Sequence, residues 1–474
     1  MADCIDTDIC IIGAGSAGLS IAAGASQMGA DTTLIESGKM GGDCLNSGCV
    51  PSKALLAAGK LAGAGRRAAA FGIAYGPPEI DFQAVHDHVQ GVIAAIAPND
   101  SVERFTGLGV RVIQATGRFV APDEVEAGGQ RIKARRFVVA TGSSPFLPPI
   151  PGLDSVPFLT NETVFDLTVL PRHLIVVGGG PIGCELGQAF RHLGSRVSVL
   201  EMAQIMPKDD PELVDILRQR FLAEGLALFE QSKVVAVAGS GDSLKVTLER
   251  AGVREEIEGS HLLVAAGRRP NLKGLGLEAA GVAYDGGGVT VDRRLRTSNK
   301  KIFAAGDVCG GYQFTHMAGH HAGIVIRNAL FRLPAKVEDK AVPWVTYTAP
   351  ELAHVGLDET AARARHGTIR VLRWPFSEND RAQAERDTDG LVKVITDARG
   401  KVLGASILGT AAGESIHAWI LAVAKGLKIG DMAGYIAPYP TRGEAGKRAA
   451  GSYYTEKLFG EGTKRLVRFL ARFG

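Results

Sequence analysis

Apolar strand-like runs and small-residue helical runs alternate through the first half of the chain. A β-branched run spans residues 8–12, a glycine-bearing turn and a helix follow, and a second apolar run spans 31–35. Strand, helix and strand in this order predict a βαβ unit of a parallel sheet. The same order returns with apolar runs over 173–177 and 196–200. The pattern therefore predicts two α/β units of one kind within the chain.

The pattern elsewhere predicts a mixed region after the first unit and an α+β region from about residue 341, which has no nucleotide-binding glycine turn. Prolines cluster over 145–157, where we place a domain boundary. The further predicted elements are helices over 53–70, 82–106, 360–365, 413–426 and 443–458, a β-hairpin-rich portion over 110–119 and 124–132, and strands over 136–139, 343–348, 369–374, 391–396 and 402–408.

The composition is that of an ordinary soluble protein with several domains. The chain has 474 residues, of which 46% are hydrophobic and 22% charged, enough for roughly three domains. A net charge of +3 is too small to indicate a nucleic-acid partner. The sequence has no apolar run of the roughly 18 residues that cross a bilayer, and its acidic start is unlike a signal peptide. We therefore predict a cytoplasmic protein with no nucleic-acid partner and no transmembrane segment.

The first unit carries a glycine turn of the kind that binds dinucleotides. The turn reads Gly13-Ala-Gly15-Ser-Ala-Gly18, and the following strand ends at Glu36. The glycines allow a tight turn and let a pyrophosphate approach the helix N-terminus, while the carboxylate suits a ribose hydroxyl. Glycine turn, strand, helix and Glu36 together predict a nucleotide site.

The second unit repeats this arrangement. Its turn reads Gly178-Gly-Gly-Pro-Ile-Gly183, and its second strand ends at Glu201, which follows the first glycine by as many residues as Glu36 does in the first unit. Two units of equal internal length predict two nucleotide sites. Residues 202–207 contain no arginine or lysine, so we expect NAD(H) to be favoured over NADP(H), whose extra phosphate needs a cation.

The stretch from Gly41 to Lys53 carries two of the six cysteines. Cys44 and Cys49 lie on a glycine-bearing turn, and Pro51 fits the first turn of a helix. Such a pair can close a small disulfide ring, and a thiolate at a helix N-terminus has a lowered pKa. Taken alone, the stretch is also compatible with two unrelated buried cysteines.

In this order along the chain, these motifs resemble those of the flavin-dependent pyridine nucleotide–disulfide oxidoreductases, which include dihydrolipoamide dehydrogenase, glutathione reductase and mercuric reductase. The resemblance covers nearly the whole chain. It implies an α/β fold with two Rossmann-like domains, one for FAD and one for NAD, plus a C-terminal α+β dimerisation domain that makes a homodimer. The implied bounds are 1–150 and 272–340 for the FAD domain with its redox disulfide, 151–271 for the NAD(P) domain and 341–474 for the dimerisation domain.

The resemblance also assigns roles to single residues. Cys49 corresponds to the thiol beside the flavin, which forms a charge-transfer thiolate, and Cys44 to the interchange thiol that faces the substrate. Lys53 corresponds to the lysine beside the flavin N5, with Glu185 as its carboxylate partner. Asp307, which on local sequence alone is equally compatible with a helix N-cap, corresponds to a ligand of the flavin ribityl chain. The other implied cofactor contacts are Gly13, Gly15, Gly18 and Glu36 to FAD, Gly178, Gly180, Gly183 and Glu201 to the nicotinamide nucleotide, and in addition Ser16, Ala17, Gly42, Lys53, Thr141, Gly142, Ile182, Gly267, Arg268 and Gly306.

One position departs from the disulfide-reducing members of the family. Those members carry a catalytic histidine, then Pro-Thr, and a glutamate five residues after the histidine, whereas this chain has Tyr439-Pro-Thr-Arg-Gly-Glu444. A phenol with an ordinary pKa near 10 is a poor proton shuttle at neutral pH. Tyrosine at this place resembles mercuric reductase, yet the last cysteine here is Cys309, so the C-terminal cysteine pair of that enzyme has no counterpart.

The expected function is FAD-dependent electron transfer between NAD(P)H and a thiol/disulfide acceptor through a Cys44–Cys49 disulfide. A dihydrolipoamide-dehydrogenase-like role, with a lipoyl group or small disulfide as substrate, is the leading interpretation. The competing interpretations are mercuric-reductase-like reduction of a soft metal ion, a diaphorase or quinone reductase, and a nonenzymatic redox-sensing flavoprotein. Lys53 and Glu185, together with both cysteines, argue against the last of these.

Two further features are open at this point. His316 and His320 lie four residues apart on one predicted helix face, where they could supply a base or a metal pair, but packing is the favoured interpretation and no metal site is predicted. Residues 464–473 place apolar side chains on one helical face and basic ones opposite. We expect this segment to pack on its own subunit or a partner subunit, ahead of contact with an anionic membrane surface.

Overall fold

The computed structural model describes residues 4–74, 76, 78–240 and 243–473. Its strands, in chain order, are β1 (Cys4–Ile12), β2 (Thr32–Glu36), β3 (Val110–Gln114), β4 (Arg118–Ala121), β5 (Glu124–Ala127), β6 (Gln130–Val139), β7 (Ser143–Pro145), β8 (His173–Val177), β9 (Arg196–Leu200), β10 (Ala227–Phe229), β11 (Lys233–Ser240), β12 (Ser243–Arg250), β13 (Val253–Gly259), β14 (His261–Val264), β15 (Arg268–Pro270), β16 (Tyr284–Asp285), β17 (Gly288–Val289), β18 (Ile302–Ala304), β19 (Pro343–Thr346), β20 (Glu351–Gly356), β21 (Ile369–Pro375), β22 (Leu391–Asp397) and β23 (Val402–Gly409).

The helices alternate with these strands in the first two thirds of the chain and cluster towards its end. They are α1 (Ser16–Gln27), α2 (Gly42–Asn46), α3 (Cys49–Ala68), α4 (Phe82–Ile96), α5 (Val102–Gly107), α6 (Pro181–Leu193), α7 (Pro211–Ala223), α8 (Thr315–Ala329), α9 (Glu359–His366), α10 (Asp380–Ala384), α11 (Ala412–Ser415), α12 (His417–Lys425), α13 (Ile429–Gly434), α14 (Glu444–Ser452), α15 (Thr455–Leu458) and α16 (Glu461–Leu470).

The chain forms two compact units. The first comprises Met1–Ala58, Glu79–Gly178 and Lys233–Glu338. Its main sheet has the order β3-β2-β1-β6-β5-β4, and β18 also pairs with β6. The neighbouring pairs β3–β2, β2–β1, β1–β6 and β6–β18 are parallel. Strands β4 and β5 add an antiparallel edge. The central strand β1 ends in a continuous buried apolar run because both of its faces are covered there.

Helix α1 lies unusually close to the sheet because its small residues leave room. A Cβ on Gly18 would lie 1.8 Å from the carbonyl oxygen of Gly13, and one on Gly24 would lie 2.5 Å from the Ile326 side chain in α8. Gly13 itself has φ +107°, which is strained for any residue with a side chain. The glycine turn therefore brings the N-terminus of α1 directly above the end of β1.

The first unit contains several smaller sheets as well. Strands β8 and β14 pair in parallel, β11, β12 and β13 form an antiparallel sheet, and β7 pairs with β15. Strand β6 is one ten-residue element, although the sequence pattern divides its residues between the β-hairpin-rich portion that ends at 132 and a separate strand over 136–139. The exposed alternation in its first half and the continuous burial in its second half account for the apparent division.

The second unit comprises Gly59–Pro78, Gly179–Ser232 and Asp339–Gly474. Strands β9 and β10 pair in parallel, and an antiparallel sheet has the order β19-β20-β23-β22-β21. Helices α11 to α14 cover this sheet through an apolar core that includes Trp419. Strand β20 is absent from the sequence prediction because four successive buried residues hide its alternation.

A buried cation lies within the second unit. The Lys393 Nζ atom is 2.7 Å from Asp210, 3.0 Å from Glu212 and 3.2 Å from Glu359, and the lysine side chain is only 5% exposed. These carboxylates raise the pKa of Lys393 against the opposing effect of burial. Such a buried charge is stable only when it is paired in this way.

Some predicted helices are divided in the structure. The helix predicted over 82–106 is interrupted by a 3-10 turn at Ala97–Asp100, and α5 starts anew with Ser101 as its N-cap. Pro98 cannot donate the backbone hydrogen bond that a continuous helix needs. The helices predicted over 413–426 and 443–458 likewise each form two shorter helices.

In the ranges that the structure describes, no helix combines the length and apolar character that a membrane span requires.

Candidate functional site

The two cysteines of the redox stretch lie together in the first unit. Cys44 is in the short helix α2, and Cys49 is the first residue of α3. Both thiols are free, Cys44 half-buried and Cys49 exposed. Gly42 has φ +59°, and a Cβ there would lie 2.7 Å from the Cα atom of Gly15. The cysteine turn therefore packs against the first glycine turn through bare backbone.

The environment separates the acidities of the two thiols. The Cys44 thiol, the Thr315 hydroxyl and the Lys53 charge together lower the pKa of Cys49 to about 6, against the effect of burial. The interaction with Cys49, reinforced by burial, raises the pKa of Cys44. The start of α3 further favours an anion at Cys49. Cys49 is therefore the more acidic thiol of the pair.

Thr315 is a residue that the sequence interpretation did not single out. Its Oγ1 atom lies 3.3 Å from the Cys49 Sγ atom across 266 residues of sequence. Thr315 is the first residue of α8, just before the histidines that the sequence pattern emphasised. No local pattern marks it, because its role depends on two distant segments meeting.

Replacement of Thr315 by valine is expected to raise the pKa of Cys49. A hydrogen bond to a charged group is worth roughly 1.5–3 kcal/mol. The Thr315 hydroxyl is one of several groups that stabilise the thiolate, so its removal should raise the pKa of Cys49 by on the order of one pH unit. The measurement is the pH dependence of iodoacetamide alkylation at Cys49, followed by peptide mass spectrometry. Thr360→Val, the same change at a solvent-accessible position of α9, is the control. An unchanged titration in Thr315→Val would show that the hydroxyl does not stabilise the thiolate.

Asp43 holds the cysteine turn in place. Its Oδ1 atom accepts hydrogen bonds from Ser47 at 2.9 Å and from Asn161 at 3.0 Å. Its Oδ2 atom pairs with Arg268 at 3.3 Å. Asn161 also donates to the Ser47 carbonyl at 3.1 Å. Arg268, which the resemblance assigns to cofactor binding, is therefore linked to the cysteine turn through Asp43.

The first glycine turn has the features of a nucleotide site. Glu36 Oε2 accepts from the Ala14 N–H at 2.5 Å, and its Oε1 accepts from the Gly38 N–H at 2.7 Å. The N-cap of α1 is Gly15, and no side chain caps this helix start. A cavity of about 790 Å³ adjoins the turn, lined among others by Gly13, Glu36 and Thr141. Uncapped helix N–H groups, bare glycine backbone and a carboxylate fit the pyrophosphate and ribose of FAD.

The second glycine turn repeats these contacts atom for atom. Glu201 accepts from the Gly179 N–H at 2.7 Å and from the Ala203 N–H at 3.0 Å. Both donors occupy the same positions relative to the turn and the glutamate as Ala14 and Gly38 do in the first unit. Helix α6 has Gly180 as its N-cap, again without a side-chain cap, and Ile182 and Gly183 lie in its first turn. This donor set fits a nicotinamide nucleotide.

Asp307 lies in a 3-10 turn at Gly306–Cys309 and is not a helix N-cap, which excludes the capping role. Its Oδ2 atom accepts a hydrogen bond from Ser143 at 2.7 Å, and burial raises its pKa. Arg268 donates to both the hydroxyl and the carbonyl of Ser143. A continuous polar network therefore joins Asp307 to the cysteine turn through Arg268.

The other predicted cofactor residues of the first unit lie in two neighbouring loops and at the start of α1. Thr141 donates to the Asn271 carbonyl at 2.8 Å, and the Asn271 N–H donates to the Gly142 carbonyl at 3.0 Å. Gly267 has φ +120°, which only glycine adopts readily. Ser16 and Ala17 open helix α1.

Lys53 and Glu185 belong to different units. Lys53 is in the first unit, where its charge lowers the pKa of Cys49. Glu185 is in the second unit, 6% exposed, and accepts a hydrogen bond from the Tyr347 N–H at 2.9 Å. Their pairing stays a prediction.

Tyr439 has its own partner in the second unit. Its hydroxyl donates to Asp380 Oδ2 at 2.9 Å, and the ring is 69% exposed. This hydrogen bond and the charges of Asp380 and Glu444 raise the pKa of Tyr439 above its ordinary value. Glu444 begins α14 and lies 4.0 Å from Arg448. The phenol is therefore protonated at neutral pH.

Two histidines of α8, His316 and His321, contact neighbouring groups in the first unit. The His316 ring stacks on Phe314, with centroids 5.1 Å apart. His321, a residue that the sequence interpretation did not emphasise, accepts a hydrogen bond from the Gly306 N–H at 3.2 Å. Burial lowers the pKa of His321 to about 4, so this ring is neutral. The stacking agrees with the packing interpretation for this helix.

The chain is similar to two groups of curated enzymes. A mercuric reductase of Bacillus cereus is 37% identical over 447 residues, which cover 94% of this chain and 71% of that protein. A dihydrolipoyl dehydrogenase of Thermus scotoductus is 36% identical over 463 residues, which cover 95% of this chain and 98% of that protein. A solved structure, the Cu(II) complex of the HOCl-induced flavoprotein disulfide reductase RclA from Escherichia coli, aligns with a TM-score of 0.84 at 27% identity and covers 93% of this chain and 99% of that one.

Two family models account for most of the sequence. The model for pyridine nucleotide-disulphide oxidoreductases matches residues 7–322, and the model for the dimerisation domain of the same family matches residues 342–450. The matched ranges include both glycine turns, the cysteine pair and the Tyr439–Glu444 segment. The chain belongs to the pyridine nucleotide-disulphide oxidoreductase family, with its α/β nucleotide-binding fold and dimerisation domain.

Proposed function

We propose that this protein is a FAD-dependent oxidoreductase that moves electrons between a nicotinamide nucleotide and a thiol/disulfide acceptor through Cys44 and Cys49. The observation that carries the proposal is the position of the cysteine pair, on a turn whose Gly42 packs directly against Gly15 of the first glycine turn. The pKa of Cys49, lowered to about 6 chiefly by the Cys44 thiol, supports the same assignment. The first glycine turn, Glu36 and Asp307 would hold FAD, and the second glycine turn with Glu201 would hold the nucleotide. Bound FAD supplies two-electron transfer between the nucleotide and the sulfur pair.

The cysteine pair can reduce a disulfide by exchange. Cys44 attacks one substrate sulfur, and the substrate S–S bond breaks as a mixed disulfide forms. Cys49 then attacks the Cys44 sulfur, which closes the Cys44–Cys49 disulfide and releases the second substrate sulfur. One protein thiol, one protein thiolate and a disulfide thus become a protein disulfide, one free thiol and one free thiolate. The proton of Cys44 has to reach the sulfur that leaves as a thiol.

Proton delivery is the step for which this chain lacks the family's histidine. The Tyr439 phenol is hydrogen-bonded to Asp380 with a raised pKa, so it does not exchange a proton readily at neutral pH. Small disulfides and lipoyl groups remain the first candidate substrates because of the cysteine pair and the similarity to a dihydrolipoyl dehydrogenase, but without a proton shuttle we expect slow turnover of lipoamide.

Reduction of a soft metal ion is the second candidate, and Tyr439 favours it. A divalent ion such as Hg²⁺ can be held by the two sulfurs once Cys44 releases its proton to solvent, and no substrate thiolate then has to be protonated. The similarity to a mercuric reductase and to a reductase solved as its Cu(II) complex supports this second candidate. Direct reduction of quinones and nonenzymatic redox sensing are less favoured, because neither needs the paired sulfurs and Lys53 together.

The deciding experiment is anaerobic NADH oxidation by the FAD-loaded protein, with oxidised lipoamide and mercuric ion supplied separately. We expect the protein to oxidise NADH with at least one of these two acceptors, and we expect the Cys49→Ser variant to lose that activity. A higher kcat/KM with lipoamide identifies the first candidate, and a higher value with mercuric ion identifies the second. NADH oxidation that occurs only with a quinone and survives Cys49→Ser would refute the proposal.

We also propose that NADH is preferred over NADPH, and Met202 offers a test. Met202 follows Glu201 directly and is 70% exposed. Met202→Arg places a cation beside the ribose-binding carboxylate, and we expect it to raise kcat/KM for NADPH about tenfold, since an arginine at this place accommodates the 2′-phosphate. Val253→Arg, at a side chain that is 69% exposed, is the charge-matched control. Equal kcat/KM values for both nucleotides in the unmodified protein would contradict the preference.

The domain bounds and assembly complete the proposal. We assign residues 1–150 and 272–340 to the FAD domain, 151–271 to the NAD(P) domain and 341–474 to the dimerisation domain. The match of residues 342–450 to the family's dimerisation domain supports a homodimer. A cytoplasmic location stays a prediction.

A further inference from the structure

Helix α16 presents one continuous apolar face to solvent. Successive residues of a helix advance by about 100°, so its large apolar side chains and that of Phe473 just beyond it share an arc of about 160°. The rings of Phe469 and Phe473 are in edge contact, with centroids 5.1 Å apart. The residues of this apolar face are between 53% and 74% exposed, and they are Leu466, Val467, Phe469, Leu470 and Phe473.

The opposite face of the same helix is basic. Lys464, Arg465, Arg468 and Arg472 occupy the remaining arc. Glu461, the first residue of α16, is the one acidic residue of the helix and pairs with Lys464 at 2.9 Å, which leaves the three arginines without an acidic neighbour in the helix sequence. These four side chains give the segment a strong positive charge. The expected packing of this segment on its own subunit is not seen, because its apolar side chains are exposed to solvent.

We propose that α16 binds the surface of a membrane that contains anionic lipid, lying in the plane of the headgroups. Such a helix buries its apolar face at the boundary of headgroups and acyl chains, while its basic face meets lipid phosphates. The charge selects this partner, because anionic headgroups meet the basic face of α16 while the acyl boundary takes its apolar face, whereas a second copy of the chain would cover the apolar face alone. The family's dimerisation match also ends at residue 450, before α16 begins.

The test is flotation of the full-length, FAD-loaded protein with vesicles of phosphatidylcholine, alone or mixed with phosphatidylglycerol. We expect binding to the anionic vesicles, little binding to the neutral ones, and release at high salt. Each basic residue near an anionic surface contributes roughly a fivefold gain in partitioning, so Arg465→Gln with Arg468→Gln should weaken binding about 25-fold.

Loss of the apolar face is tested by Phe469→Ser with Leu470→Ser, for which we expect binding at least about tenfold weaker. The control is Phe331→Ser with Leu333→Ser, two exposed apolar residues in the first unit that are 54% and 52% exposed. All these variants should oxidise NADH as the unmodified protein does, which shows that they are folded.

Three results would overturn the proposal. The first is equal binding to neutral and anionic vesicles, and the second is vesicle binding that survives both α16 variants. The third is no vesicle binding together with a lower molar mass by light scattering in the apolar variant, which would assign the face to contact between copies of the chain.

Discussion

Replacement of Cys44 by serine is expected to lower reduction of the preferred acceptor by at least about 1,000-fold, as loss of a nucleophile does in other enzymes. In the proposed reaction, Cys44 is the sulfur that forms the mixed disulfide or binds the metal, and a serine hydroxyl, which is far less acidic than a thiol, does neither. Cys44 does not belong to the glycine turn or to the Glu36 and Asp307 groups, so FAD should stay bound. The measurement is anaerobic NADH oxidation with lipoamide and with mercuric ion.

Cys4→Ser provides the matched control for this prediction. Cys4 is an exposed free thiol at the start of β1, so its loss should leave both rates unchanged. Quinone reduction should also continue in Cys44→Ser, because it does not need the interchange sulfur. A variant that keeps most of its lipoamide or mercuric activity would show that electrons leave the protein without passing through the cysteine pair.

Tyr439→His is expected to raise lipoamide turnover about 100-fold, the lower end of what a positioned general acid–base contributes. An imidazole with an ordinary pKa near 6.5 exchanges protons at neutral pH, whereas the phenol does not. Glu444 stands at the spacing of the glutamate that follows the family histidine. The measurement is kcat with oxidised lipoamide from acidic to mildly alkaline pH, where a new ionisation near 6.5 should appear.

Tyr439→Phe separates proton transfer from packing at this position. Removal of the hydroxyl breaks its hydrogen bond to Asp380 but takes away no working base, so lipoamide turnover should change by less than about twofold. A large loss in Tyr439→Phe would identify the phenol as the proton donor. An unchanged rate in Tyr439→His would direct attention to His316 and His320 as the base.

Local sequence is sufficient for the nucleotide-binding units. The apolar runs of β1, β2, β8 and β9 are predicted within a few residues, because a strand covered on both faces is a continuous apolar run. The glycine turns can also be predicted from sequence, since the positive φ angles at Gly13 and Gly178 favour glycine at these two positions. The family follows from the order of these motifs.

Local sequence is insufficient where one pattern has two structural outcomes. The helix predicted over 82–106 contains Pro98, which lies in the 3-10 turn after α4. A second helix, α5, begins after this turn with Ser101 as its N-cap. Asp307 is compatible by sequence with a helix cap or a ligand role, and the 3-10 turn around it excludes the cap.

Local sequence was enough to identify the two glycine turns and to predict the redox cysteines, because each of these motifs lies within a few tens of adjacent residues, and the order of the motifs marks the family. The side chains that surround the cysteines are set by folding. The contact of Thr315 with Cys49 spans 266 residues, and Arg268 meets Asp43 from a distant strand. The partner of Tyr439 and the exposure of α16 were likewise set by folding. Periodicity reports which face of an element is apolar, but long-range packing determines what that face and its polar neighbours touch.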